Sequence, residues 1–274
     1  MRRLAVSSPV VVLAAVLISL VLGTGCQKLQ ARDHLNKGVN AFKNAQYPEA
    51  VEHFKQAVTL DPNYPLARLY LATAYMQQYI PGAESDDNRK MGEAAESTFK
   101  DVLKDDPKNE TAIAYLASLY LNEKRWDEAK EWYEKLTTVN PKSAVGYYSK
   151  GFIAWSQWYP ALGTARADLG MKLEDPGPIK DKKVREELKA KYSDIIAYGL
   201  SNLDQALKVD PDYDDAMAYE NLLIRERADL ADTKEEYAQQ TKIADDWEDR
   251  AMETKKKKNE AKQKTGGGIV ADQK

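Results

Sequence analysis

The chain has 274 residues, 43% of them apolar and 30% charged, with a formal net charge of −3. That composition suits a soluble protein long enough to bury a sizeable core, and the near balance of charge gives no basis for binding nucleic acid. The one cysteine, Cys26, excludes an intrachain disulfide framework, and the two histidines, His34 and His53, are too few for a zinc-like cluster, so no metal is expected.

Residues 1–25 read as an address rather than as part of the fold. Arg2 and Arg3 precede an apolar run of 13 residues, Val10 to Leu22, which is short for a bilayer span and typical of a signal-peptide core. Small residues, Gly23-Thr24-Gly25, then lead to Cys26. They resemble the bacterial lipobox, although Gly23 stands where leucine is usual and Leu22 lies one place further back. The resemblance implies that Cys26 becomes a lipidated N-terminus, that 26–30 form a tether, and that several acyl chains, each contributing about 0.8 kcal/mol per buried methylene, hold the protein on a membrane. Gln27 in place of aspartate implies outer-membrane sorting, hence a lipid-anchored protein on the periplasmic face of the cell envelope. The alternative is an ordinary signal peptide, or an uncleaved anchor, with a bystander thiol.

From residue 31 a pattern of paired amphipathic helices begins. In 31–64, Gly38 and Ala41 mark the first helix, Ala50, Phe54 and Ala57 the second, and Asp61-Pro62 the stop, because proline cannot continue a helix. In 65–109, Ala72 and Tyr75 take the first two places and Ala95, Phe99, Val102 and Pro107 the rest. The step from Ala72 to Ala95 is 23 residues where 12 separate the same places in 31–64, so 11 are inserted; the stretch 79–90, rich in proline, glycine and charge, reads as a solvated loop, with a contact surface as the alternative. The unit 110–143 is uninterrupted, with Ala117, Tyr120, Ala129, Tyr133, Leu136 and Pro141 in register.

The fourth unit, 144–213, opens with Gly151 and Ala154 and resumes only at Gly199, Leu203, Ala206 and Pro211. Its insertion, about 155–185, begins with Trp155, Trp158 and Tyr159, which either offer a binding site or anchor the insertion onto the scaffold, meets a break or kink at Pro160, and turns through Glu174-Asp175-Pro176-Gly177-Pro178. Lys180 to Val209 then reads as one long helix. A fifth unit, 214–256, places Asn221 where a small residue is expected, so close packing there is in doubt. Thr233-Lys234-Glu235-Glu236 looks like a capping box for a charged final helix whose inward residues are Ile243 and Trp247. Residues 257–274 read as a disordered tail.

The recurring order of small, aromatic, alanine, aromatic and proline resembles the tetratricopeptide repeat (TPR) family. The resemblance implies an all-α fold, a TPR α-solenoid of about five helical hairpins wound as a right-handed superhelix, two of them carrying insertions. It also implies that the first helices line a concave groove. The residues it assigns there include Leu35, Val39, Phe42, Lys43, Leu69, Thr73, Met76, Gln77, Ala114, Ser118, Leu121 and Asn122, then Tyr148, Phe152 and Trp155. TPR domains that clamp a terminal carboxylate carry lysine, asparagine and arginine where this chain has Leu35, Val39, Thr111 and Tyr115, which speaks against that role. An apolar helix or extended segment fits better.

No paired-cysteine motif, glycine-rich phosphate loop, HExxH or GxSxG occurs, so neither catalytic residues nor a cofactor are expected and the chain does not read as an enzyme. The favoured reading is a membrane-tethered scaffold for another envelope protein or peptide. The alternatives are a binding protein for a small apolar ligand at the aromatic fourth repeat, and a structural module that forms homo-oligomers.

Overall fold

The computed structural model describes residues 9–172 and 175–266, with side chains described for 26–172 and 175–263. The expected leader and tail therefore fall partly outside the described residues. Among the described residues there are ten helices and no strand, as the all-α reading requires. None of these helices is long and apolar enough to cross a membrane. The chain forms two compact units, 1–125 and 126–274.

The first unit holds α1 (Pro9–Lys43), α2 (Tyr47–Leu60), α3 (Pro65–Gln78), α4 (Asp86–Asp105) and α5 (Glu110–Asn122). Proline in the first turn starts α2 and α3, where its missing N–H costs nothing. Side chains of Ser85 and Asn109 cap α4 and α5 by accepting from Asn88 N and Ala112 N. The pairing is set by size. A Cβ on Gly38 would lie 2.5 Å from the Phe54 ring, so α1 approaches α2 as closely as backbone allows. The same ring stacks on Tyr70 of α3 at 5.5 Å, and the pattern repeats when Phe99 of α4 stacks on Tyr115 of α5 at 5.3 Å.

The insertion after α3 is more ordered than a solvated loop. Asn88, 7% exposed, accepts from Ile80 N at 2.6 Å and donates to the carbonyls of Ile80 and Ala83. One buried amide thus satisfies three backbone groups of the connection, and α4 starts at Asp86, inside the expected loop.

The second unit holds α6 (Trp126–Val139), α7 (Ala144–Asp168), α8 (Lys182–Val209), α9 (Asp214–Ala228) and α10 (Lys234–Gly266). A Cβ on Gly151 would meet Leu203 at 2.5 Å, the counterpart of Gly38 against Phe54. Several expectations are corrected here. Pro160 neither breaks nor ends α7, which runs eight residues beyond it, because Trp158 and Leu162 on either side are buried at 0% and 2% exposure and hold both flanks in the core. Asn221 packs well: it is 7% exposed and its amide donates to Ala244 O at 2.6 Å. That bond fixes the rotation of α10 so that Ala244 and Ala251 face inward, which leaves Ile243 47% exposed rather than buried. Thr233 caps α10 through Glu236 N, and Glu236 accepts from Asp232 N, one residue earlier than a capping box requires. The final helix continues to Gly266, so 257–266 are helical where a disordered tail was expected; 267–274 lie outside the described residues.

The large insertion is the extension of α7 to Asp168 followed by a connection bound to its own scaffold. Buried Arg166 pairs with Asp229 and donates to the carbonyls of Lys172 and Asp175. Arg185 donates to the carbonyls of Ile179 and Lys180, while Ile179 N donates to Asp229 O. A Cβ on Gly177 would lie 2.1 Å from Asp229 Oδ1, so only glycine fits that approach.

Candidate functional site

Tyr148, Phe152, Trp155 and Tyr159 follow one another at steps of four, three and four along α7, which puts them on one stripe of the helix. All four are half-buried. Tyr219 of α9 stands edge-on among them, its ring centroid 5.6 Å from Tyr148 and 5.3 Å from both Phe152 and Trp155. Trp155 stacks on Tyr159 at 4.9 Å, and Tyr213 lies 5.0 Å from Tyr148. Such edge and offset contacts are the favoured ring geometries and hold the cluster rigid.

The electrostatics of this face follow from partial burial. Desolvation, helped by nearby Tyr219 and Asp215, pushes the Tyr148 hydroxyl well above its ordinary range. Burial pushes Tyr213 up to about 12, and Tyr219 is raised for the same first reason. The phenols therefore stay neutral donors. Trp155 Nε1 donates to Glu226 Oε1 at 3.0 Å. Burial raises the Glu226 carboxyl to about 7, opposed by that bond and assisted by Asp229, and its second oxygen is buried without a partner. A separate pocket of about 280 Å³, lined by Asp214, Leu222, Met252 and Lys255 among others, opens between α9 and α10. What the aromatic face offers is flat apolar area with a few fixed donors and acceptors, suited to holding side chains rather than to transferring groups.

The structure thus brings together three of the residues assigned to a groove, Tyr148, Phe152 and Trp155. Trp158, grouped with Trp155 by sequence, is fully buried against Tyr192 and belongs to the core. In the first unit, Phe42 is half-buried with its ring edge on Tyr47, and Lys43 and Gln77 are exposed. Met76, Ser118, Leu121 and Asn122 are half-buried. Thr73 is 8% exposed and its hydroxyl donates to Leu69 O, so it is not offered to a ligand; Leu35, at 5%, is core. Cys26 is exposed on α1. Sequence reasoning missed Tyr219, Tyr213 and Glu226. The available signal was that Tyr219 occupies the place in its repeat held by Tyr70 and Tyr115 in theirs.

Comparison with known proteins agrees with this architecture. Family models described as TPR repeat and tetratricopeptide repeat match residues 42–78 and 89–147. The human mitochondrial import receptor subunit TOM70 is 28% identical over 128 residues, 47% of this chain and 19% of TOM70. The chain thus spans about a fifth of the length of that relative. The Photosystem I assembly protein Ycf3 of Prochlorococcus marinus is 26% identical over 153 residues, 51% of this chain and 80% of Ycf3. Among solved structures, MamA from Desulfovibrio magneticus superposes with a TM-score of 0.56 at 15% identity, covering 83% of this chain and 96% of MamA. YrrB, described as a TPR protein with an unusual peptide-binding site, gives 0.50 at 13% identity, covering 81% of this chain and 90% of YrrB. The chain carries tetratricopeptide repeats, and its helices adopt the all-α TPR fold.

Proposed function

We propose that this protein is a membrane-tethered scaffold of the bacterial cell envelope, and that the ring face of α7 and α9 binds an apolar helix or extended segment of another envelope protein. The observation that carries the reading is the half-exposed cluster of Tyr148, Phe152, Trp155, Tyr159 and Tyr219, since aromatic anchors dominate the energetics of protein interfaces. TPR folds serve as scaffolds for protein–protein interaction, and the names of TOM70, Ycf3 and YrrB describe a receptor subunit, an assembly protein and a peptide-binding protein. The tether is Cys26, exposed on α1 and preceded by the lipobox-like residues, with the outer membrane as the destination.

Capture from detergent-solubilised envelopes tests the binding half. Wild-type protein retains one defined partner, and Trp155→Ala or Tyr219→Ala weakens it by about 2 kcal/mol or more while circular dichroism stays unchanged. Equal capture by folded variants overturns the assignment, as does recovery of only a small apolar ligand or only further copies of the chain. Mass spectrometry of the mature N-terminus tests the tether: an unmodified Cys26 removes it and leaves the binding face standing.

A further inference from the structure

The chain has only two histidines, and the fold sets them against each other. His34 lies on α1 and His53 on α2, 19 residues apart in sequence, with their Nδ1 atoms 3.2 Å apart and their ring centroids 5.5 Å apart. Both are half-buried, so the pair opens to solvent along one edge. It belongs to the first unit and has no part in the aromatic face.

We propose that His34 and His53 form a two-imidazole binding site for a divalent transition metal of the zinc and copper class. The argument begins with the bite. Two nitrogens bound to one tetrahedral zinc at 2.0–2.1 Å stand about 3.3 Å apart, close to the separation already present. Imidazole is a donor suited to zinc and copper. The pair supplies two donors, and solvent on the open edge supplies the remaining positions.

The surroundings favour the required tautomer. Glu49 Oε1 lies 4.0 Å from His53 Nε2, one turn earlier on α2. At 4.0 Å the carboxylate makes no hydrogen bond as it stands, but its charge favours a proton on the facing Nε2 and so a lone pair on Nδ1, and a small ring rotation would complete the carboxylate–histidine arrangement common at metal sites. Without metal, His34 Nδ1–H then donates to His53 Nδ1. On binding, His34 gives up its Nδ1 proton to solvent and takes one up at Nε2, so both rings remain neutral ligands and the proton count does not change. A modest rotation of each ring turns the two lone pairs from each other toward the ion. Asp33 and Glu49 add negative charge around the pair, while Lys37 is held by Asp33 at 2.7 Å. The ion would clip α1 to α2, and because it binds only where the two helices are paired, it stabilises the fold.

The test uses the full chain without an affinity tag, in a Cys26→Ser background so that no thiol competes. Cu2+ and Zn2+ are the probes. The expected result is one Cu2+ per chain, with an electron paramagnetic resonance spectrum showing two equatorial imidazole nitrogens. Zn2+ raises the melting temperature of the same protein. His34→Asn and His53→Asn each lose the two-nitrogen pattern and at least about tenfold in affinity while keeping their helical circular dichroism, and Glu49→Gln weakens binding by about tenfold with both rings in place. Because no other histidine exists, a two-nitrogen signal at one ion per chain has no other source within the molecule. Coordination by one imidazole or none, half an ion per chain, or equal affinity in folded His53→Asn protein overturns the site.

Discussion

The indole of Trp155 donates to Glu226 across 71 residues of chain, joining α7 to α9 through one 3.0 Å bond at the edge of the aromatic face. Glu226 is held partly in the interior to make that bond. A few residues earlier on α9, Glu220 is 3% exposed with Oε1 unpartnered.

Two carboxyls drawn into the interior from one helix, Glu220 fully and Glu226 partly, predict a pH dependence of stability. Burial raises Glu226 to about 7 and Glu220 to about 8; Asp204 pushes Glu220 further up and Arg227 draws it down. Both folded values lie above the ordinary 4.5. The folded state therefore holds more protons than the unfolded one between those values. The stability these two groups contribute is fully present below about pH 4.5 and is lost as pH rises through about 7 and then about 8. Glu220→Gln should flatten the upper part of that slope and stabilise the protein at pH 8.5 by about 1–3 kcal/mol. Urea unfolding at pH 5, 7 and 8.5 measures it, and an unchanged slope in the variant refutes the assignment to Glu220.

Glycine-to-alanine substitutions at two helical sites should have opposite signs. Alanine in a helix interior is ordinarily better than glycine by about 1 kcal/mol. At Gly163 of α7 nothing lies within 4 Å of a built Cβ, so Gly163→Ala should gain most of that amount. At Gly38 the Cβ would lie 2.5 Å from the rigid ring of Phe54, and overpacking of about 1–3 kcal/mol outweighs the propensity gain. Gly38→Ala should therefore destabilise, and Phe54→Leu should relieve part of the loss in the double variant. Thermal melts of the four proteins decide it; two substitutions of the same sign would mean that α1 and α2 are not in this contact.

These contacts also show what the sequence made legible. The small-to-bulky pairs Gly38 with Phe54 and Gly151 with Leu203 hold the same places in their repeats, 16 residues apart in the first and 52 across the insertion in the fourth, so the repeat register located them. Along one helix Tyr148, Phe152 and Trp155 were equally visible. Glu226 was not, because it reaches that face from α9 across 71 residues and no local pattern encodes which side chain a neighbouring helix delivers, whereas Tyr219 was marked only by its repeat position. No local pattern paired Arg166 with Asp229 for the same reason, and Ile243 looked inward until the Asn221–Ala244 bond fixed the rotation of α10.

The turn between α1 and α2 carries avoidable strain. Ala45 sits there at φ 57°, in the left-handed region where a Cβ crowds the following carbonyl. Its N–H donates to Phe42 O at 3.0 Å, so the conformation is held by the turn itself. Glycine adopts it freely. Ala45→Gly should raise stability by up to about 1 kcal/mol, the residual after the extra chain entropy of glycine is deducted. Lys124, also at φ 57°, occupies the corresponding turn before α6, and Lys124→Gly should act in the same direction. Destabilisation at both sites in chemical denaturation would count against the turn geometry.

The last prediction concerns the insertion between α7 and α8. Arg166 and Asp229 are 3% and 5% exposed, and the guanidinium also holds the carbonyls of Lys172 and Asp175. Burial raises the Asp229 carboxyl, and the Arg166 bond and charge oppose that rise. Removing the arginine leaves a buried carboxylate without its counter-charge and three loop acceptor contacts unmade. Arg166→Met should therefore cost about 3–5 kcal/mol, whereas Arg166→Met with Asp229→Asn should recover much of it, because no lone charge remains in the interior. The loop supplies an independent readout. With the arginine gone, the chain around 169–178 loses its anchor while the helices on either side persist, so limited proteolysis should cut first within that stretch. A single variant as stable and as protease-resistant as wild type would show that the pair does not hold the insertion in place.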